Sequence, residues 1–435
     1  MDYSKKIISV EEALNKIKSG DVIVTGLGAS EAGLFMGALH RIAHRVEKIT
    51  ITNCLPTHPS KIYSPEYSNV FKVEGWFFAP QLRKAFGNGN MGFIPNHLHL
   101  AAKKRLDYLK PTVYVGAASM PDKHGFISLS CSNTYEKRMI EKADLVMLEI
   151  NPHMPYTLGD LEIHVRDVDY LIQAAYKPPV LPDLPFTETD SKIGKFIADL
   201  VPDGSCIQLG IGGIPNAVAE FLKDKNDLGV HTEMLTTGLM KLAKRGVITG
   251  KYKNINKGKI ITTFAMGEPE LYEFIDYNPS VGIYDGAWTN DPYVISQNDN
   301  QISINTTLEI DLTGQCASES IGSRQFSGTG GQADTAIGAQ MSKNGKSIIA
   351  LHATARVKGE QGEEKEISKI CAQLTPGAAV SLSRNDVDIV VTEYGVAHLR
   401  GTDLIERAAR LIDIAHPRFR KQLREEAFRV GILAK

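Results

Sequence analysis

Asp203-Gly204-Ser205-Cys206-Ile207-Gln208-Leu209-Gly210-Ile211-Gly212 repeats, 184 residues further on, the stretch Ser19-Gly20-Asp21-Val22-Ile23-Val24-Thr25-Gly26-Leu27-Gly28. Both copies open on a glycine turn, continue in a short apolar run and end in Gly-x-Gly. Such a run bounded by turn residues reads as a buried strand of a parallel sheet. An apolar helical segment follows each: Leu34, Met36 and Leu39 in the first copy, Val218 and Leu222 in the second. Ile49-Thr50-Ile51-Thr52 is the next strand of the first copy, giving a right-handed parallel βαβ unit. Upstream, Ser9 with Glu12 three residues on predicts a capped helix that Gly20-Asp21 ends. A second match pairs Lys142-Ala143-Asp144-Leu145-Val146-Met147-Leu148-Glu149 with Asp386-Val387-Asp388-Ile389-Val390-Val391-Thr392-Glu393, at an offset of 244.

Two similar open α/β domains with mostly parallel sheets are therefore expected, over residues 1–180 and 190–435. Between them, Lys177-Pro178-Pro179-Val180-Leu181-Pro182-Asp183-Leu184-Pro185 holds four prolines in nine residues, which favours an extended linker at about 177–189. The active site is expected in the cleft between the domains, where strand-end loops face each other.

The 435 residues carry 49 basic and 50 acidic side chains, a net charge of −1 that gives no field for a nucleic-acid partner. Hydrophobic residues at 43% and charged residues at 23% exclude disorder. Cys54, Cys131, Cys206, Cys316 and Cys371 are scattered without a C-x-x-C pair, which argues against a disulfide framework and fits a reducing cytoplasm. Residues 1–20 read as a polar amphipathic segment, not a signal peptide, and no run of about 18 apolar residues suggests a membrane span.

Three glycine loops compete as ligand sites. Gly87-Asn88-Gly89-Asn90-Met91-Gly92 has dinucleotide spacing, but the preceding Gln81–Phe86 reads as helix, so its context is wrong. Gln208-Leu209-Gly210-Ile211-Gly212-Gly213-Ile214-Pro215 follows a strand and opens a helix, so its amides can hold an oxyanion or a phosphate. Gly328-Thr329-Gly330-Gly331-Gln332-Ala333-Asp334 lacks the Gly-Lys-Ser/Thr of a nucleotide loop, and ATP is not implied. No G-x-S-x-G elbow occurs. His40 and His44 lie four apart without carboxylate ligands nearby, so no metal is expected. Among the carboxylates, Glu233 stands 21 residues beyond Gly212, one helix and one strand away, which returns it to the edge carrying the glycine loop. It is a candidate nucleophile or general base, or else a surface acid at a helix start.

Taken together, Gly210-Ile211-Gly212, His231-Thr232-Glu233, Leu308-Glu309-Ile310-Asp311-Leu312-Thr313-Gly314-Gln315, Gly330-Gly331-Gln332-Ala333-Asp334 and Glu393-Tyr394-Gly395-Val396-Ala397-His398-Leu399-Arg400-Gly401 resemble the acetyl-CoA hydrolase/transferase family. The resemblance covers nearly the whole chain and is greatest to the 4-hydroxybutyrate CoA-transferases. It implies a CoA-transferase in which Glu233 is the nucleophile, Gln208, Leu209, Gly210, Ile211 and Gly212 bind CoA and supply oxyanion amides, Gly331 lies beside the intermediate, and Gly330 and Gln332 also bind substrate or CoA. It further implies that backbone near Leu308 contacts CoA and that Asn290 orients the nucleophile or the acyl oxygen. Thr335 differs from the aromatic residue the family often carries there, and Phe93–Leu98 resembles a family active-site loop.

The implied substrates are CoA esters and short-chain carboxylates, with no permanently bound cofactor, nucleic acid or membrane. A homo-oligomer, dimer or tetramer, is implied as well. A butyryl-CoA:acetate CoA-transferase, an acyl-CoA hydrolase using the same Glu, and a catalytically silent module that binds CoA esters are the alternatives.

Overall fold

The computed structural model describes residues 3–358 and 362–433, so the first two residues of the amphipathic opening lie outside it. The chain divides into two compact units. The first comprises Met1–Pro182, Thr232–Thr237 and Lys259–Asn290; the second comprises Asp183–His231, Gly238–Gly258 and Asp291–Lys435. The first change of unit falls inside the proline-rich segment, and two later segments, one of them holding Glu233, count with the first unit.

The first unit contains an eight-stranded sheet in the order Ile7–Ile8, Tyr170–Gln173, Leu145–Ile150, Val113–Ala118, Val22–Thr25, Ile49–Thr52, Phe71–Gly75 and Met91–Phe93. Every neighbouring pair is parallel. Its strands read as continuous apolar runs because both faces are covered. The alternation of side chains splits the core in two. Ile23, Ile51, Val73, Val115 and Met147 face a cluster with Leu14, Phe35, Met36 and Leu39 from the helical segments on one side. Val24, Tyr114, Val146 and Leu148 belong to a second cluster with Leu98, Ala101, Met139 and Ile140. The chain builds outward from Val22–Thr25 on one side and then returns on the other, so the order reverses between Val22–Thr25 and Val113–Ala118. Ligand crevices of open parallel sheets form at the C-terminal edge of such a reversal.

The expected capping box is present: the Ser9 hydroxyl accepts from the Glu12 amide, and the Glu12 carboxylate accepts from the Ser9 amide. The helix after the first glycine turn is Gly33–Ala38, shorter than its apolar pattern suggests. It buries Phe35, Met36 and Ala38 and leaves Leu34 exposed at its first turn. Gly87–Gly92 follows a helix, Pro80–Ala85, and runs into a strand, Met91–Phe93, the reverse of the order a dinucleotide turn requires.

The second unit repeats the plan. Its strands run Gly229–His231, Cys206–Leu209, Gln301–Thr306, Lys346–Ala350, Ile389–Thr392 and Gly395–His398. The pairings of Cys206–Leu209 with Gly229–His231 and with Gln301–Thr306 are parallel, and so are those on to Ile389–Thr392. The closing pair is antiparallel. The 184-residue repeat is structural, because Val22–Thr25 and Cys206–Leu209 are matching strands, residue for residue.

The second sequence match is not structural. Leu145–Ile150 is two strands from Val22–Thr25, whereas Ile389–Thr392 is three strands from Cys206–Leu209. An acid turn followed by a buried apolar run recurs wherever a parallel strand starts, so that likeness reflects shared burial.

Among the described residues, no helix is long and apolar enough to cross a membrane. Glu149, next to last in its strand, has no solvent access and accepts hydrogen bonds from the amides of Leu34 (3.2 Å) and Phe35 (2.7 Å) and from the Tyr176 hydroxyl (2.7 Å). Glu149→Ala should therefore lower stability by about 1–3 kcal/mol by orphaning buried donors. Thermal or denaturant unfolding should read this as a lower midpoint, and an unchanged midpoint would contradict it.

Candidate active site

Glu233 lies between two short strands, Gly229–His231 and Met234–Leu235, and is partly exposed while Thr232 and Met234 on either side are buried. Within the first unit its main chain is held firmly. Met234–Leu235 pairs in parallel with Phe264–Ala265. The Glu233 carbonyl accepts from the Thr263 amide (3.0 Å), the Phe264 amide (3.2 Å) and the Thr262 hydroxyl (2.9 Å). Its carboxylate Oε2 accepts from Asn290 Nδ2 at 3.0 Å. Asn290 is the C-cap of a short helix, Gly286–Thr289, and is 1% exposed. That helix is fixed where the Gly286 amide donates to the Asn133 carbonyl (3.0 Å) and where Arg138 pairs with Asp285. Glu233 and Asn290, 57 residues apart in the chain, are thus brought together.

The apolar surroundings come from the C-terminal edge of the first sheet. Met234, Phe264 and Met266 share a core cluster with Leu27, Cys54, Trp76 and Leu98, and Leu55, Phe77 and Ile94 pack against it. The positive φ of Gly28 (+57°) turns this edge, and a Cβ there would lie 3.6 Å from Met266 Sδ. Thiol chemistry is excluded at this edge. Burial pushes the thiols of Cys54 and Cys131 up to about 12, so neither is a thiolate near neutral pH.

The glycine loops belong to the second unit and are built differently. Gly212 adopts a φ of +113° and caps the helix Gly213–Phe221 without a side-chain cap. Pro215 occupies the first turn, as expected, leaving the Gly213 and Ile214 amides as donors the helix itself cannot use. Ile211 is 48% exposed at the tip of the turn, whereas Gln208 and Leu209 are buried in the strand. The Gln208 side chain is spent internally: Oε1 accepts from Ser303 Oγ (3.2 Å) and the Ile304 amide (3.1 Å). Main-chain amides and the exposed Ile211 are what remain for a ligand there.

Gly213 has a steric reason to be glycine, because a Cβ would lie 2.8 Å from Asp190 Oδ2. Asp190 in turn caps its own helix with Thr187 and pairs with His352 Nε2 at 2.7 Å. Burial would raise the Asp190 carboxyl, but the Thr187 donors and His352 outweigh it and hold it below the usual range.

Gly331 caps the helix Gln332–Met341, and Gly330 has a φ of +54°. Gln332 Nε2 donates to the Thr306 carbonyl at 2.9 Å. Thr335 is buried, and its hydroxyl accepts from Ser303 Oγ and Asn305 Nδ2, both at 3.0 Å. The threonine therefore ties a helix to the strand beneath it. The Leu308 amide donates to the Ala317 carbonyl, so main chain at Leu308 is already engaged on one side.

Thr262, Thr263, Met266 and Trp76 had no motif to reveal them: they meet Glu233 or its apolar surroundings only through the fold. Among the described residues, no group of three or more His, Cys, Asp or Glu side chains is arranged to hold a metal ion.

Residues 1–182 match the acetyl-CoA hydrolase/transferase N-terminal domain, and residues 267–427 match the C-terminal domain. The chain belongs to the acetyl-CoA hydrolase/transferase family. It is 41% identical over 433 residues to 4-hydroxybutyrate coenzyme A transferase of Clostridium kluyveri, covering 98% of this chain and 97% of that protein. It is 40% identical over 430 residues to succinyl-CoA:cyclohexane-1-carboxylate CoA transferase of Geobacter metallireducens, covering 99% and 97%. Among solved structures, a 4-hydroxybutyrate CoA-transferase from Porphyromonas gingivalis superposes with a TM-score of 0.83 at 34% identity, covering 98% of both chains.

Family membership gives the close approach at Gly213 a testable meaning. Gly213→Ala should cost about 1–3 kcal/mol by overpacking against Asp190. A melting curve indistinguishable from the parent protein would show that the carboxylate yields freely.

Proposed function

We propose that this chain, a member of a CoA-transferring enzyme family, moves CoA from a short-chain acyl-CoA to a carboxylic acid. The pair proposed is 4-hydroxybutyrate and acetate, and the route is a covalent Glu233 intermediate. The observation that carries the reading is the hydrogen bond from Asn290 Nδ2 to Glu233 Oε2, made by a side chain that is itself buried. It fixes the orientation of the carboxylate through one of its oxygens.

A thioester has a good leaving group, so a positioned carboxylate attacks without a separate base. The Glu233 oxygen adds to the acyl carbonyl, the C–S bond breaks, and an acyl-glutamyl anhydride and CoA thiolate result. The thiolate then attacks the glutamyl carbonyl and the anhydride C–O bond breaks. This frees the first carboxylate and leaves a glutamyl-CoA thioester. An incoming carboxylate takes the CoA by the same steps in reverse, so the kinetics are ping-pong. No resident cofactor enters the scheme. The main-chain amides at Gly210–Gly213 and Gly330–Gly331 are the proposed donors for CoA and the developing oxyanion. Main chain near Leu308 is a further proposed CoA contact.

Glu233→Gln should abolish acetate-dependent exchange, by roughly 10³-fold or more, while the melting temperature holds. Mass spectrometry of the parent enzyme with 4-hydroxybutyryl-CoA should show a CoA adduct on the Glu233 peptide. Full exchange in the Gln variant would remove Glu233 from the chemistry. Loss of acyl-CoA at a rate indifferent to acetate, with no acetyl-CoA formed, would mark a hydrolase instead. Asn290→Ala should lower kcat by about 10²-fold, the usual effect of removing one oriented donor, and leave the adduct detectable at long incubation times.

A further inference from the structure

Asn96 is 7% exposed, and neither its amide nitrogen nor its carbonyl oxygen has a hydrogen-bond partner. It lies just past the end of the edge strand Met91–Phe93, which pairs in parallel with Phe71–Gly75. The Ile94 amide donates to the Gly75 carbonyl at 2.8 Å, and a helix begins at Leu98. This places Asn96 at the C-terminal edge of the first sheet. Its flanking residues Ile94 and Leu98 pack in the cluster that contains Met234, the residue after Glu233, and Met266. The helix that starts at Leu98 also packs against Gly286–Thr289, which Asn290 caps. Trp76, which follows the neighbouring strand, presents a second buried polar atom without a partner, Nε1.

We infer that Asn96 selects the acyl group, by binding a hydroxyl on a short hydroxyacyl chain whose thioester carbon faces Glu233. This rests on the transferase reading above and names the residue that reads its substrate. A buried amide left unpaired is costly, and a ligand that satisfies it recovers that cost. A primary amide offers one kind of donor and one kind of acceptor, and a hydroxyl is complementary to both at once. A carboxylate only accepts, and would leave Asn96 Oδ1 facing negative charge. An alkyl chain leaves both atoms unpaired. The buried cation of the same helix, Arg105, is occupied by Glu74 at 2.9 Å and by the Thr52 hydroxyl at 3.2 Å. It is therefore not a counter-ion for a second carboxylate. The apolar cluster packs the methylenes, and the amide reads the end.

The test compares kcat/KM for 4-hydroxybutyryl-CoA and butyryl-CoA, with acetate as acceptor, in the parent enzyme, Asn96→Leu and Asn96→Ser. The parent should prefer the hydroxylated thioester. Asn96→Leu should reduce that preference at least about tenfold by weakening the hydroxylated substrate, with butyryl-CoA unchanged or faster. Asn96→Ser, which keeps a donor and an acceptor on a smaller side chain, should retain part of the preference. A preference that survives in both variants overturns the assignment to Asn96 while leaving the transferase intact. A fall shared equally by both thioesters reduces Asn96 to a packing residue and also overturns it. A parent enzyme inert toward both thioesters removes the transferase reading, and this inference with it.

Discussion

Three glutamates without access to water organise the C-terminal edge of the first sheet: Glu31, Glu136 and Glu149. Each is spent on backbone amides that a loop or the first turn of a helix leaves without partners. Glu136 accepts from the Leu27 and Tyr135 amides, and Glu149 from those of Leu34 and Phe35. Glu31 accepts from the Thr57 and His58 amides and from Asn53 Nδ2. Burial raises the carboxyls of Glu136 and Glu149, while the backbone donors pull in the other direction. These anchors fix the loops after Val22–Thr25 and Ile49–Thr52, and so fix the apolar wall formed by Leu27, Cys54 and Leu55 in the cluster that also holds Met234.

The second unit solves the same problem with other chemistry. Where the first unit caps its leading helix with a buried carboxylate, the second leaves the amides at Gly213 and Ile214 to whatever lies beyond. It directs its nearby acid, Asp190, toward Thr187 and His352. Duplicated strands thus diverged at their ends, one closed by side chains and the other open on main chain. The nearby carboxylate is engaged with Thr187 and His352 and not with those amides.

The strand at Cys206–Leu209 and its counterpart at Val22–Thr25 were legible in the sequence because a doubly buried strand has little freedom in composition. The helix lengths were not: Leu34 continues an apolar pattern yet sits exposed, because a helix end leaves its first-turn side chains outside the packed face. The likeness of residues 142–149 to 386–393 misled for the complementary reason, since equal burial produces equal sequence in unequal places. The spacing of Glu233 from the glycine loop suggested a shared edge, but Glu233 counts with the first unit and that loop with the second. Asn290 came only from family resemblance, because a contact spanning 57 residues has no local signal. The hydroxyl of Thr262 and the main chain of Thr263 reach the Glu233 carbonyl, and the Asn96 amide is left unpaired, through geometry that carries no sequence signal.

The high thiol pKa values at this edge have a chemical consequence. An enzyme that carries its cargo as a thioester is vulnerable to any thiolate within reach, since sulfur-to-sulfur acyl exchange is fast and nearly isoenergetic. Cys54 shares a cluster with Met234, and the Cys131 carbonyl accepts from the Ala265 amide, so both lie in the neighbourhood of the proposed intermediate. With the thiols held at about 12, only about one in 10⁵ is ionised at neutral pH. The same burial that builds the apolar wall thereby disfavours capture of the proposed intermediate by these two thiols.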